Sequence, residues 1–171
     1  MGRLTMRLVT AHRTEKVSAS CISYGANDAS MVRMYVERNA DRFYDISEVT
    51  SDQDAVTFIE GLKLDVLVDI TSHTYRGRIA IAAYKPAQIV INYLGYPGTS
   101  GCSAFDYTAV DALVAPTDLA PYSFTEKLIY LPHIYQANFM PPDVVPCLLS
   151  DRRLCRQRMI TDRVYGDDSV A

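Results

Sequence analysis

The clearest chemical feature of the chain is a loop with three glycines at three-residue spacing, LGYPGTSG at residues 94–101. It follows the apolar, β-branched run QIVINY, and this change of pattern predicts a buried strand that ends in a tight, exposed loop. Pro97 and Gly98 suit the central pair of a type II turn, with Gly98 at positive φ. Because glycines let a ligand approach the backbone amides, the loop is a candidate wall of a binding site.

Two hydroxyl residues in this loop, Thr99 and Ser100, are candidate donors to a sugar or phosphate oxygen through their hydroxyl or amide groups. The glycine spacing fits neither the dinucleotide fingerprint nor the phosphate-binding loop that ends in Gly-Lys-Ser/Thr. By spacing alone, a turn that only shapes the strand exit is the favoured interpretation. The candidate substrate-binding residues of the loop are Gly95, Tyr96, Pro97, Gly98, Thr99, Ser100 and Gly101.

A histidine follows the apolar run DVLVDI at residues 65–70. Sites in open α/β sheets gather at the carboxyl ends of strands, and an imidazole there can serve as a general base or hydrogen-bond donor. His73 is therefore a candidate catalytic residue, and the neighbouring Thr74 and Tyr75 are candidate substrate-binding residues. The alternative for all three is a loop that only satisfies its own backbone.

Two other polar residues leave their roles open. Asp106 can orient a substrate hydroxyl, or it can bond to the amides of a turn. His133 follows a predicted strand end, where a structural hydrogen bond to the backbone is the favoured interpretation.

Strand and helix patterns alternate along the chain and would position these residues. Strands are predicted at 17–24, 43–46, 65–70, 88–94, 107–114 and 127–131. Helices are predicted from Asn27 or Asp28 to about residue 40, from a capping box at 51–54 to about 63, and at 78–84. This alternation predicts an α/β fold with a Rossmann-like, mainly parallel, doubly wound sheet. The run 65–70 is apolar on both faces, as in a central parallel strand.

Length and composition fit one globular domain: 171 residues, 49% hydrophobic and 22% charged, with a formal net charge of -3. This charge predicts neither a nucleic-acid partner nor a membrane-surface partner. Four arginines near the C-terminus are interpreted as a solvated helix face. They are Arg152, Arg153, Arg156 and Arg158.

Four cysteines lack the short spacing of a zinc or redox motif, so we expect reduced thiols and no metal. They are Cys21, Cys102, Cys147 and Cys155. No run is long enough to span a bilayer, and residues 1–10 make a poor signal peptide. We therefore expect a cytoplasmic or nuclear protein.

Several segments, in order and spacing, resemble the catalytic region of the protein O-linked N-acetylglucosamine transferases and their plant O-fucosyltransferase relatives. The loop LGYPGTSG is the most specific of these segments, and the resemblance covers roughly residues 17–142. The segments are DVLVDITSHT (65–74), KPAQI (85–89), LGYPGTSG (94–101), Asp106-Tyr107, YSFTEKL (122–128) and Leu131-Pro132-His133.

The resemblance implies a GT-B enzyme, in which two Rossmann-like lobes enclose the active site. It implies inverting transfer from a UDP-sugar, UDP-GlcNAc, to a Ser or Thr hydroxyl of an intracellular protein. No cofactor and no metal are implied, because positioned donors stabilise charge on the leaving diphosphate.

The resemblance also divides the chain. Residues 1–16 form a leader without clear structure, 17–142 a partial N-terminal catalytic lobe, and 143–171 an Arg-rich tail or the start of a linker. A second lobe and helical repeats that bind acceptor proteins are expected in the full-length protein. The family's main catalytic histidine, which precedes a proline, has no counterpart in residues 1–16, since His12 precedes arginine. Ser72, Lys85 and Gln88 also depart from the family pattern.

Three hypotheses follow. The first is that the chain is part of a UDP-GlcNAc:protein O-GlcNAc transferase and is inactive in isolation. A variant of this hypothesis is that the chain belongs to an O-fucosyltransferase relative. The second is a non-catalytic binding, regulatory or remnant lobe. The third is an unrelated Rossmann-like domain that binds a nucleotide or sugar phosphate.

Overall fold

A computed structural model describes residues 2–5, 8, 9, 12 and 15–136. Helices lie between most of its strands, as predicted, and every strand pairing is parallel. In chain order the elements are α1 (Gly2–Thr5), β1 (Ser20–Ser23), α2 (Met31–Asn39), β2 (Arg42–Asp45), α3 (Asp52–Gly61), β3 (Val66–Asp69), α4 (Ile79–Ala83), β4 (Ile89–Tyr93), β5 (Tyr107–Val110), α5 (Ala120–Ser123) and β6 (Lys127–Tyr130).

The described strands form two sheets rather than one. β1 pairs with β2, and the second sheet has the order β3-β4-β5-β6. β3 therefore lies at an edge, and Val66 and Val68 are 41% and 43% exposed. The prediction of a central strand at 65–70 is wrong for this arrangement, because within residues 15–136 no strand lies on the outer side of β3.

Local capping explains where the first two longer helices begin. The Ser51 hydroxyl accepts a hydrogen bond from the Asp54 amide and caps α3, which confirms the predicted start. Helix α2 is capped by Ser30, not by Asn27 or Asp28. The side chains of those two residues instead accept hydrogen bonds from the amides two positions on, in turns that precede the helix.

One face of the larger sheet is covered by helices. Leu67 and Val90, which are neighbours in register, pack with Ala82 of α4. Further along the same face, Val110 packs with Ala120 of α5. The burial of this face fixes β3 to β6 as a rigid platform whose carboxyl ends carry the predicted site.

Arg33 on α2 links that helix to the smaller sheet. Its guanidinium donates to the Asp45 carboxylate at 2.6 Å and to the Ser23 hydroxyl at 2.6 Å, and it lies 4.6 Å from the centre of the Phe43 ring. One side chain thus joins α2 to the ends of β1 and β2.

Part of the sequence-based description lies outside the described residues. This applies to residues 143–171, including the arginine cluster, and to Cys147 and Cys155. Helix α1 falls within the segment 1–16, for which no element was predicted. Cys21 and Cys102 are both free thiols. In the part of the chain that the structure describes, no helix has the length and apolar character needed to cross a membrane.

Candidate functional site

The turn after β3 is built on the carboxylate of Asp69. Its Oδ1 accepts hydrogen bonds from the Thr71 amide at 2.9 Å, the Thr71 hydroxyl at 2.8 Å and the Ser72 amide at 3.1 Å. Ser72 is buried at φ 43°, in the left-handed region that favours glycine. The turn therefore reverses the chain sharply and presents the next residue, His73, beyond the strand end.

His73 lies against the glycine-containing loop, a contact that was not predicted from the sequence. Its Nε2 is 2.8 Å from the carbonyl oxygen of Ser100, and its ring meets Tyr96 edge-on with centroids 5.2 Å apart. A carbonyl oxygen can only accept, so Nε2 carries the proton in this contact and Nδ1 is the acceptor of the neutral ring. Of the two roles that the sequence leaves open, a base would act through Nδ1, while Nε2 already donates a hydrogen bond to Ser100.

The loop 94–101 begins with a strained residue. Leu94 is 2% exposed and has φ 75°. The buried amide of Asn92 donates to the Gly98 carbonyl at 3.1 Å and holds the loop over the end of β4. A Cβ at Gly98 would lie 2.9 Å from the Tyr96 ring, so this glycine makes room for that ring.

The predicted type II turn at Pro97 and Gly98 is wrong, because the positive φ in this loop occurs at Leu94 and Gly101 and not at Gly98. The chain enters and leaves the loop through left-handed residues. Pro97 and Tyr96 are left exposed at its tip.

The buried carboxylate of Glu126 anchors the loop 94–101. Glu126 was not among the predicted site residues. Glu126 is 9% exposed and accepts hydrogen bonds from the Ser100 amide at 2.6 Å, the Ser100 hydroxyl and the Thr99 hydroxyl at 2.8 Å. Burial alone raises the pKa of the Glu126 carboxyl, but the hydrogen bonds from Ser100 and Thr99 outweigh it and the net pKa is lowered. Glu126 is therefore ionised at neutral pH.

This anchor changes the role of Thr99 and Ser100. Their hydroxyl protons point to Glu126, so in this conformation they do not serve as hydroxyl donors to a ligand. The sequence signal that could have found Glu126 was its place in the segment YSFTEKL, 26 residues beyond Ser100.

The remaining candidates divide into two groups. Thr74 closes the turn after β3, since its amide and hydroxyl both donate to the Thr71 carbonyl at 2.9 and 2.7 Å. Tyr75 is 89% exposed and lies beside the Arg76 guanidinium rather than the loop. The structure thus brings together His73, Tyr96 and residues 98–100, and it gives Thr74 a structural part.

Asp106 lies at the opposite, amino end of the sheet. It accepts from Lys85 Nζ at 2.8 Å and from the Val90 amide at 2.9 Å, and these two contacts lower the pKa of its carboxyl. It satisfies backbone and not a substrate hydroxyl at this site. No group of three or more His, Cys, Asp or Glu side chains suited to a metal ion occurs among the described residues.

Comparison with known proteins identifies the family of this chain. The model of glycosyl transferase family 41 matches residues 3–140. The chain belongs to glycosyl transferase family 41. The matched region includes every residue of the candidate site, so the loop, His73 and Glu126 all lie within the family's shared region.

Two curated members of the family are similar over most of the chain. The probable UDP-N-acetylglucosamine–peptide N-acetylglucosaminyltransferase SEC of Arabidopsis thaliana is 35% identical over 127 residues. The corresponding transferase of Caenorhabditis elegans is 33% identical over 124 residues. These alignments cover 74% and 72% of this chain but only 13% and 11% of the two relatives. The chain thus spans about an eighth of their length.

A solved structure supports the fold. A mutant of the O-GlcNAc transferase from Thermobaculum terrenum superposes with a TM-score of 0.76 and 24% sequence identity, covering 83% of this chain and 27% of that chain. Together with the parallel strands and interspersed helices, this match establishes an α/β Rossmann-like domain.

Proposed function

We propose that this chain is part of the first lobe of a GT-B enzyme that transfers N-acetylglucosamine from UDP-GlcNAc to Ser or Thr residues of intracellular, cytoplasmic or nuclear proteins. The 35% identity to the Arabidopsis transferase across 127 residues carries the proposal. The packed contact between His73 and the loop 94–101 supports it, because the family's most specific segment shapes the ligand-facing end of the sheet.

The residues of this lobe position the substrates, and the second lobe is needed to complete the active site. The loop offers its exposed tip, Tyr96 and Pro97, as a wall of the cleft between the lobes. His73 offers Nδ1 as a hydrogen-bond acceptor or proton acceptor beside that wall. The reaction displaces UDP from the anomeric carbon by the acceptor oxygen with inversion, and it needs neither a metal nor a cofactor. The second lobe and the helical repeats that hold the donor and the acceptor protein are supplied by the full-length protein.

A chimera tests this proposal. The matched residues of the Arabidopsis transferase are replaced with those of this chain, and transfer from UDP-GlcNAc to a Ser/Thr peptide is measured with and without His73→Ala. We expect measurable transfer that falls at least about 100-fold with the substitution, the lower end of the range for a positioned acid–base group. An exposed control away from the candidate site, Tyr84→Phe at the end of α4, should leave the rate unchanged.

The same chimera separates the alternatives. A folded chimera without transfer from UDP-GlcNAc contradicts the proposal and favours a non-catalytic lobe. The O-fucosyltransferase variant is tested on the full-length protein, because the second lobe holds the donor: transfer from GDP-fucose but not from UDP-GlcNAc would assign it to that branch.

A further inference from the structure

One hydrogen bond fixes the direction of the His73 ring. Its Nε2 donates to the Ser100 carbonyl at 2.8 Å, and this is the ring's only hydrogen bond within the part of the chain that the structure describes. The ring also meets Tyr96 edge-on, but Tyr96 is 37% exposed and restrains it less than a backbone group does. The direction of Nδ1 therefore depends on where the Ser100 carbonyl lies.

The backbone of the loop does not fix Ser100 by itself. Ser100 lies between Gly98 and Gly101, and Gly101 has φ 64°, in the region that glycine enters freely. The hydrogen bond from Asn92 holds the loop only as far as the Gly98 carbonyl, two residues before Ser100. A residue outside the loop must therefore hold Ser100 if its carbonyl is to face His73.

Glu126 supplies this restraint. Ser100 donates both its amide, at 2.6 Å, and its hydroxyl to one oxygen of the Glu126 carboxylate. The Ser100 hydroxyl also accepts a hydrogen bond from the Cys102 amide at 3.2 Å. Because the carboxylate is ionised, the bonds that it accepts are roughly twice as strong as those between neutral groups. Two donors of one residue bound to one oxygen fix the orientation of that residue, and its carbonyl with it.

Glu126 is itself held by the larger sheet. It directly precedes β6, whose first residue, Lys127, donates its amide to the Asp106 carbonyl at 3.2 Å. The residue before Glu126, Thr125, donates its amide to the Thr99 hydroxyl at 3.2 Å. The start of a sheet strand thus holds the loop at two adjacent residues, 99 and 100.

We propose that Glu126 is a positioning residue for His73: through Ser100 it holds the imidazole as the Nε2–H tautomer, with Nδ1 left as the acceptor for a substrate hydroxyl. Glu126 does not touch the substrate, and its effect passes through the Ser100 carbonyl. The inference rests on the proposed function for the reaction that it serves, but the geometry concerns this chain alone and is measured without activity.

Nitrogen NMR of the full 171-residue chain tests this geometry. With ¹⁵N-labelled histidine and neutral rings, the nitrogen shifts distinguish the two tautomers, and exchange of the Nε2 proton with water reports its hydrogen bond. We expect His73 of the unaltered chain to be in the Nε2–H form. Glu126→Gln should mix the two tautomers and speed exchange of this proton at least about tenfold, because the local hydrogen bond then opens more often.

The chain contains its own references for this measurement. His12 and His133 are the other two histidines, and their signals should be the same in every variant. Glu48→Gln is the matched control, since Glu48 is exposed, and it should leave the His73 spectrum unchanged. A His73 spectrum that is identical in the unaltered chain and in Glu126→Gln overturns the proposal.

A second variant applies if Glu126→Gln folds poorly. Ser100→Ala removes one of the two donors to Glu126 and keeps the amide and the carbonyl. It should change the His73 spectrum in the same direction but to a smaller extent. An unchanged His73 spectrum in Ser100→Ala then overturns the proposal.

The chimera with the Arabidopsis transferase tests the consequence for the reaction. We expect Glu126→Gln to lower the transfer rate about tenfold, but by no more than about twofold when His73 is already alanine. A residue that only stabilises the fold would lower both rates equally, so equal losses overturn the positioning role. A chimera that transfers no sugar contradicts the proposed function instead, and the nitrogen spectra then decide this inference.

Discussion

At the residue scale, a single carboxylate organises the loop. Glu126 receives three hydrogen bonds from Ser100 and Thr99, and all three need an acceptor. Glutamine has the same shape but offers one acceptor oxygen and a competing donor. Since hydrogen bonds to a charged group contribute about 1.5–3 kcal/mol, we expect Glu126→Gln to lower the free energy of unfolding by about 2 kcal/mol. Urea denaturation measures this loss.

Glu48→Gln is the matched control, because Glu48 is exposed. It should change the free energy of unfolding by no more than about 0.5 kcal/mol. Equal effects of the two substitutions would show that Glu126 does not anchor the loop.

The contribution of Glu126 should depend on pH. Hydrogen bonds from Ser100 and Thr99 overcome burial and lower the pKa of the folded carboxyl below its unfolded value. The stabilisation is therefore complete above the unfolded pKa, about 4.3, and is lost as the pH falls through the lower folded pKa. The difference in unfolding free energy between wild type and Glu126→Gln should narrow in that acid range. A difference that stays constant there argues against an ionised Glu126.

A second residue-scale prediction concerns Ser72, which stands where the resembled family has glycine. Its φ of 43° costs a residue with a Cβ about 1–2 kcal/mol, while glycine costs about 0.5–1 kcal/mol in unfolded-state entropy. We expect Ser72→Gly to raise the free energy of unfolding by about 0.5–1 kcal/mol. Ser72→Ala keeps the Cβ at this φ and, like glycine, removes the buried Ser72 hydroxyl, which has no hydrogen-bond partner among the described residues, so Ser72→Gly should be the more stable of the two variants by about 0.5–1 kcal/mol. Thermal or urea unfolding distinguishes the two variants.

At the scale of elements, the turn between β3 and α4 depends on a close backbone approach. A Cβ at Gly77 would lie 2.2 Å from the Ser72 carbonyl oxygen and 3.0 Å from that of Thr74. Both are backbone atoms of the turn that carries His73, so the turn would have to open. We expect Gly77→Ala to lower the free energy of unfolding by about 2–3 kcal/mol, measured by urea denaturation.

Gly61, the last residue of α3, provides the opposite case. A Cβ there meets nothing within 4 Å. Alanine should stabilise the helix end by about 0.5 kcal/mol. If Gly77→Ala and Gly61→Ala change the free energy of unfolding in the same direction, the turn is not as tightly packed as the structure shows.

The elements also show how far the sequence can be interpreted. Local signals sufficed for the strand at 89–93 and the start of α3, because hydrophobic pattern and capping act within a few residues. They failed at Gly98, because the positive φ in this loop occurs at Leu94 and Gly101 instead. The position of His73 after a strand end was predicted, but its contact with the loop was not, because spacing in the sequence does not show which loops lie together. Glu126 was missed because no local pattern links residues 26 positions apart.

At the scale of the whole molecule, residues 65–70 show how the sequence of a strand and its position in the sheet can differ. The sequence DVLVDI indicates a strand with neighbours on both sides, yet the described chain leaves β3 at an edge. The composition of a strand indicates whether it is suited to buried or exposed surroundings. It does not indicate which segments lie next to it.

The last prediction concerns activity of the isolated chain. A GT-B active site lies between two lobes, and the site described here, His73 with the loop 94–101, lies on one Rossmann-like domain. We expect the purified 171-residue chain to transfer no sugar from UDP-GlcNAc to peptide, in an assay with radiolabelled donor and the Caenorhabditis elegans transferase as positive control. Gly98→Val should make no difference to this result, although its side chain would displace the Tyr96 ring. Turnover that survives stringent purification and disappears in Gly98→Val would instead show that this lobe binds and transfers the sugar by itself.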